Sequence, residues 1–172
     1  MEDRFDHSSA VTKAGMFIFG SKRGMRRPGT SDQTTYSVEF YPAAIAADGG
    51  SFNPMWQPGP QLPEPLYGMS TVTFMDNIYL FGGLHITSRS ERRREVLVLK
   101  PGEEEWLVLG EMNTPRSRAV IINFGYQLFI IGGCDKGCAA EQFTPALGRS
   151  SVRYTHVRVE TCQRRVTRCL HY

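Results

Sequence analysis

The chain has 172 residues, 41% of them hydrophobic, and a formal net charge of +3. That is enough length and apolar content for one ordinary globular core, and it excludes disorder throughout. No stretch approaches the ~20 consecutive apolar residues of a membrane-spanning helix, and Met1 to His7 is charged where a secretion leader would be apolar. The expectation is a soluble, cytoplasmic protein with no membrane partner.

In chain order, the first recognisable element is Ser8 to Gly20, SSAVTKAGMFIFG. Two apolar runs flank a turn-prone Ala14-Gly15, which predicts a β-hairpin. The second run, Met16 to Phe19, is continuously apolar rather than alternating, as expected of a strand buried on both faces. A polar loop from Ser21 to Thr35 follows, carrying Lys22, Arg23, Arg26 and Arg27 against Asp32. A third strand is predicted over Tyr36 to Tyr41, stopped by Pro42. The small-residue loop Ala43 to Met55 then leads to a strand beginning at Trp56.

The same order recurs. Ser70 to Gly82 reads STVTFMDNIYLFG, with its turn predicted at Asp76-Asn77. The loop Leu84 to Glu95 carries Arg89, Arg92, Arg93 and Arg94 against Glu91 and Glu95. A third strand over Val96 to Leu99 is stopped by Pro101, and the acidic turn Glu103-Glu104-Glu105 precedes a strand starting at Trp106. A further hairpin is Val120 to Gly132, VIINFGYQLFIIG, turning near Gly125. The pairs Gly82-Gly83 and Gly132-Gly133 lie 50 residues apart, and so do Trp56 and Trp106. Two unrelated rare features sharing one spacing identify a repeated supersecondary unit. The first unit is longer, with 62 residues from Gly20 to Gly82, the surplus falling before Pro42 and in the loop 43–55. In the third unit a tryptophan is due near position 156, where His156 stands. Val152 to Val159 has strand-like content, which fits either a degraded unit or a separate tail.

Residues 149–172 hold Arg149, Arg153, Arg158, Arg164, Arg165 and Arg168 against Glu160 alone. Such a basic end suits nucleic acid or a membrane surface, but only Tyr154 and Tyr172 interleave it, which argues against nucleic acid. Cys134, Cys138, Cys162 and Cys169 match neither zinc spacings nor a disulfide framework, so reduced thiols and no metal are expected.

The arrangement resembles the kelch repeat family over residues 4–137. The resemblance rests on both glycine pairs, on Tyr79 and Phe129 three residues before them, on Trp106, and on the link Met112-Asn113-Thr114-Pro115-Arg116. Arg4 and Arg116 each stand 16 residues before the glycine of their unit. Departures are Ser21 after Gly20, Leu66 in place of the link arginine, and Leu99 where the family has tyrosine. The resemblance implies an all-β, kelch-type β-propeller fragment: blades over 4–65 and 66–115, a partial blade over 116–148, and a tail or degenerate end over 149–172. Closed propellers contain about four to eight blades, so the chain is expected to be a fragment or to self-associate.

The resemblance implies a protein-binding role, in some members as substrate receptor of ubiquitin ligase adaptors built with a BTB domain, in others as an actin-binding protein or general scaffold. No BTB domain fits before Arg4. The loops between second and third strands would share a face with the inter-blade links. That places Lys22, Arg23, Arg26, Arg27, Arg89, Arg92, Arg93, Arg94 and Arg116 at one surface, suited to an acidic or phosphorylated peptide because the guanidinium fork pairs bidentately with such groups. The plain alternative is that these loops only hydrate the face. A copper oxidase of propeller form is the enzymatic alternative, but His7, His85, His156 and His171 fall at unrelated places in the repeat. G-x-S-x-G, H-E-x-x-H and P-loop motifs are absent from the sequence. No cofactor and no catalysis are expected.

Overall fold

The computed structural model describes residues 4, 6–22, 34–43, 55–85, 91–135, 137–138 and 140–145. Among the described residues the chain is all β, without a helix, and its strands form antiparallel sheets. Sheet I runs in the order β1 (Ser8–Thr12), β2 (Gly15–Lys22), β3 (Thr34–Pro42), β4 (Gln57–Pro58). A two-stranded pair joins β5 (Leu66–Tyr67) to β8 (Leu84–His85). Sheet II contains β6 (Ser70–Phe74), β7 (Asn77–Phe81), β9 (Glu95–Leu99) and β10 (Leu107–Glu111), in that order. Sheet III contains β11 (Val120–Phe124), β12 (Gln127–Ile131) and β13 (Glu141–Phe143).

The three hairpins stand where the apolar runs predict them, with two turns displaced by one residue: the first is Lys13-Ala14, and Gly15, expected in the turn, opens β2 and pairs with Thr12. The middle turn is Met75-Asp76, both with positive φ (48° and 65°), while Asn77 opens β7 and pairs with Phe74. Two central residues at positive φ match the right-handed twist of the flanking strands. The Asp76 carboxylate accepts the Lys13 amide of the first turn at 2.8 Å, tying neighbouring turns together. The third strands are longer than predicted, Thr34–Pro42 and Glu95–Leu99. His85, expected in a loop, lies in β8.

The core explains why the central strands show no alternation. Along β7, Ile78 and Leu80 pack toward sheet I with Phe17, Phe19 and Val38, whereas Tyr79 and Phe81 pack toward sheet III with Leu128, Ile130 and Phe143. Strand geometry sends successive side chains to opposite faces, so a sheet sandwiched between two others needs apolar residues at every position. Each such side chain is worth about 1.5–3 kcal/mol when fully buried. Trp106 closes the first layer: its ring meets Phe19 edge-on at 5.3 Å, and its indole N–H donates to the Pro60 carbonyl at 3.1 Å. The glycines ending β2 and β7 permit the sheets to approach. A Cβ at Gly20 would stand 2.3 Å from the Leu66 carbonyl, and one at Gly82 would stand 2.3 Å from the Arg116 carbonyl.

Candidate functional site

The β7–β9 connection, the segment before β6 and the segment before β11 meet at one end of the sheets. Backbone hydrogen bonds fasten them: Gly83 donates to Arg116, Arg93 to Gly83, and Arg116 to Arg93, at 2.8 to 3.0 Å. Three consecutive arginines rise from this end. Arg92 donates through Nε to the Ser117 hydroxyl at 3.1 Å and through Nη1 to Asp135, whose carboxylate is 73% exposed. Arg93 pairs with Glu64 at 2.6 Å, and His85 faces the same carboxylate at 3.8 Å. Arg94 reaches exposed Glu111 only loosely, at 3.8 Å.

Beside them lies a feature that composition does not reveal. Asp6, Gly68 and Arg118 are separated by 62 and 50 residues, the two repeat lengths, and all three take positive φ, 56° to 60°. The Gly68 amide donates to the Asp6 carbonyl at 2.8 Å, and the Arg118 amide to the Gly68 carbonyl at 2.7 Å, so one position steps from unit to unit. Arg118 then lies across Gly68, where a Cβ would meet its Cγ at 3.3 Å, and forks both Nε and Nη2 onto the Asp6 carboxylate. This hydrogen bond raises the Arg118 pKa above its ordinary value. The clasp closes one side of a cleft of about 300 Å³ lined also by His7, Ser8, Ser70, Thr71 and Ile121. Left-handed non-glycine residues are uncommon and cluster where structure overdetermines them.

Arg116 is placed differently. It is 1% exposed and donates to Glu141, itself 1% exposed, at 3.0 and 3.2 Å, and to the Gly132 carbonyl at 2.6 Å. Glu141 also accepts the amides of Asn113 and Thr114 at 2.8 and 3.1 Å. Arg116 therefore fastens the link to β13 in the interior, away from the surface. In the first unit Arg4 repeats this, donating to Glu39 and to the Gly20 carbonyl, each at 3.2 Å.

Of the other predicted contact residues, Lys22 ends β2, while Arg23, Arg26, Arg27 and Arg89 lie outside the described residues, as do 149–172 with the segment Val152 to Val159. Glu103, Glu104 and Glu105 are exposed at the opposite end, as predicted. The expectation of four reduced thiols is corrected: Cys134 and Cys138 form a disulfide. The loop after β12 folds back and brings their Cα atoms to 6.2 Å, within bridging range, which spacing in the sequence does not disclose. Asp6 and Arg118 were signalled only by the repeat spacing, which sets them at equivalent positions.

Among the described residues the fold is all-β and made of adjacent antiparallel sheets. No family model and no curated protein matches the chain. Among solved structures it is similar to the one titled "Structure of YjhT", with a TM-score of 0.65 at 16% identity, over 82% of this chain and 49% of that one. The chain thus spans about half the length of YjhT, and the likeness concerns the fold alone.

Proposed function

We propose that sheets I, II and III are blades of a kelch-type β-propeller and that the chain is a protein-interaction module, not a catalyst. Its working surface is the arginine-bearing end, and its ligand is an acidic or phosphorylated peptide. The observation that carries this reading is the pair of arginines Arg118, which lines the cleft, and Arg92, which donates to Ser117 one residue away, each held by a carboxylate that solvent reaches. Exposed ion pairs are worth only about 0–1 kcal/mol, so exchanging Asp135 or Asp6 for a ligand carboxylate or phosphate costs little. The fork geometry of the guanidinium then supplies bidentate recognition.

The test is fluorescence polarisation with an acidic peptide and its phosphorylated form. Charge-assisted hydrogen bonds contribute about 1.5–3 kcal/mol, so Arg92→Glu is expected to weaken binding roughly 10- to 100-fold. Asp135→Asn is expected to tighten it by removing the competing carboxylate, and added salt should weaken the wild type. Equal affinity for wild type, Arg92→Glu and Asp135→Asn rejects the surface.

A further inference from the structure

Among the described residues, sheet III ends in an open apolar face. Val72, Phe74, Tyr79 and Phe81 are among the side chains of sheet II that sheet III covers. Fifty residues on, their equivalents are Ile122, Phe124, Phe129 and Ile131. Of these, Ile122, Phe124 and Ile131 are 46, 74 and 42% exposed. A patch of this kind marks an interaction surface. The face therefore repeats, position by position, one that is buried a unit earlier.

What buries it in the earlier unit is specific. Sheet III covers sheet II with Leu128, Ile130 and Phe143 beside the Arg116–Glu141 pair. Strand register gives the equivalents in sheet I as Met16, Ile18 and Tyr41 beside the Arg4–Glu39 pair. These lie opposite the Phe17, Phe19, Val38 and Phe40 face that meets sheet II. Trp56 joins them, its ring 5.3 Å from that of Tyr41. Met16, Tyr41 and Trp56 of this outer face are part-exposed, while Ile18 is 6% exposed, and by register the face is the equivalent of the cover that sheet III lacks among the described residues.

Gly132 supplies an independent sign. Its counterparts Gly20 and Gly82 are each jammed against the carbonyl of the following link, from Leu66 and Arg116. At Gly132, a Cβ would meet nothing within 4 Å among the described residues. Among the described residues, the link with no sheet packed ahead of it is that of Arg4, whose carbonyl in another copy would fill this space by the same step.

We propose that a second copy of this chain completes the fold head to tail, the outer face of sheet I on each copy packing onto the open face of sheet III on the other. This rests on the blade reading above. A head-to-tail contact closes only if the rotation returns to its start. Leaving aside the two-stranded β5–β8 pair, sheets I, II and III of the described residues give six for two copies and nine for three, and only six lies within the about four to eight blades of closed propellers. The matched span is 49% of the YjhT chain, so two such spans fill that length. In the pair, Trp56 of each copy stands against Ile131 of the other as Trp106 stands against Phe19 within the chain.

Sedimentation equilibrium of the full chain across a range of concentrations tests this. The expected mass is twice 19.4 kDa. Phe124→Glu on one face and Trp56→Glu on the other should each halve it, with Met16→Glu as a second substitution on the Trp56 face and circular dichroism showing that the β signal is kept. An equimolar mixture of the two variants should form a dimer again, weaker than wild type, because one intact interface remains between them. A wild-type monomer that unfolds cooperatively overturns the second copy and leaves the blade reading standing. A dimer insensitive to both variants, or a mixture that stays monomeric, overturns the head-to-tail contact. Loss of the β signal in the wild-type chain itself would instead strike the blade reading.

Discussion

Replacing Arg116 and Glu141 by leucine, singly and together, tests the energetics of the link directly. The chain contains its own reference state. The position of Arg116 in the middle unit is Leu66, and the register position of Glu141 is Leu97, both buried in the first core cluster. The two partners have changed together. Pro63, which has no amide hydrogen, occupies the place of Asn113, whose amide Glu141 accepts. With both side chains 1% exposed, removing one leaves a buried unpaired charge, so Arg116→Leu and Glu141→Leu should each cost about 3–5 kcal/mol. In the double variant no charge remains, and the loss falls to that of the deserted amides and the Gly132 carbonyl, about 1–3 kcal/mol for each group that water does not reach. Adding Asn113→Pro deletes one such donor and should recover part of the remainder. Urea unfolding followed by tryptophan fluorescence measures each variant. Should a single variant be too unstable to fold, recovery of a transition in the double variant carries the result. A double variant destabilised by the sum of the singles would refute the reasoning, since coupled partners must deviate from additivity.

Gly68 takes φ 60° beneath the Arg118 side chain. Gly68→Ala should cost about 1–2 kcal/mol in urea unfolding and Gly68→Asn less; a neutral alanine would show that the clasp tolerates displacement. Tyr79 is 6% exposed, and burial raises its phenol pKa above the ordinary 10.0. Above that pH the unfolded chain has lost the proton that the folded chain keeps. Stability should therefore fall as pH rises, by up to about 1.4 kcal/mol per pH unit until the folded phenol ionises. Tyr79→Phe should flatten this alkaline limb in thermal scans, and an unchanged limb would place the cause elsewhere.

The hairpins and the doubly buried central strands were legible because an apolar residue at every position has one structural meaning in a short run bounded by glycine. The spacing of 62 and 50 residues also contained the Asp6, Gly68 and Arg118 set, but these residues share no chemistry, so nothing marks them as equivalent until their φ values are known. Arg116 reads as a surface arginine because the link that carries it shares a face with the arginine-bearing loops, but sharing a face does not decide whether a side chain turns inward. Its partner, Glu141, comes from a third strand whose distance from the hairpin differs in each unit, so register and not spacing brings them together. The Cys134–Cys138 bridge depends on how a short loop folds back, which residue type does not encode.

The retained ion pairs have a meaning that stability alone does not supply. The middle unit shows that leucines with a proline fill the same place, and buried ion pairs seldom stabilise more than apolar residues of like volume. Units that share one strand pattern, however, invite wrong docking. Were the link carrying Arg116 to settle on the middle unit, its guanidinium would be buried against Leu97 without a carboxylate, at several kcal/mol. Leu66 docked beside Glu141 would strand a carboxylate in the same way. The alternation of charged, apolar and charged links thus favours the native order over its neighbours. The apolar double variant is accordingly expected to refold with a lower native yield than wild type at equal stability, read as the fraction of native tryptophan fluorescence recovered after dilution from urea. Equal yields would remove the ordering role and leave the pairs a purely local fastening of link to strand.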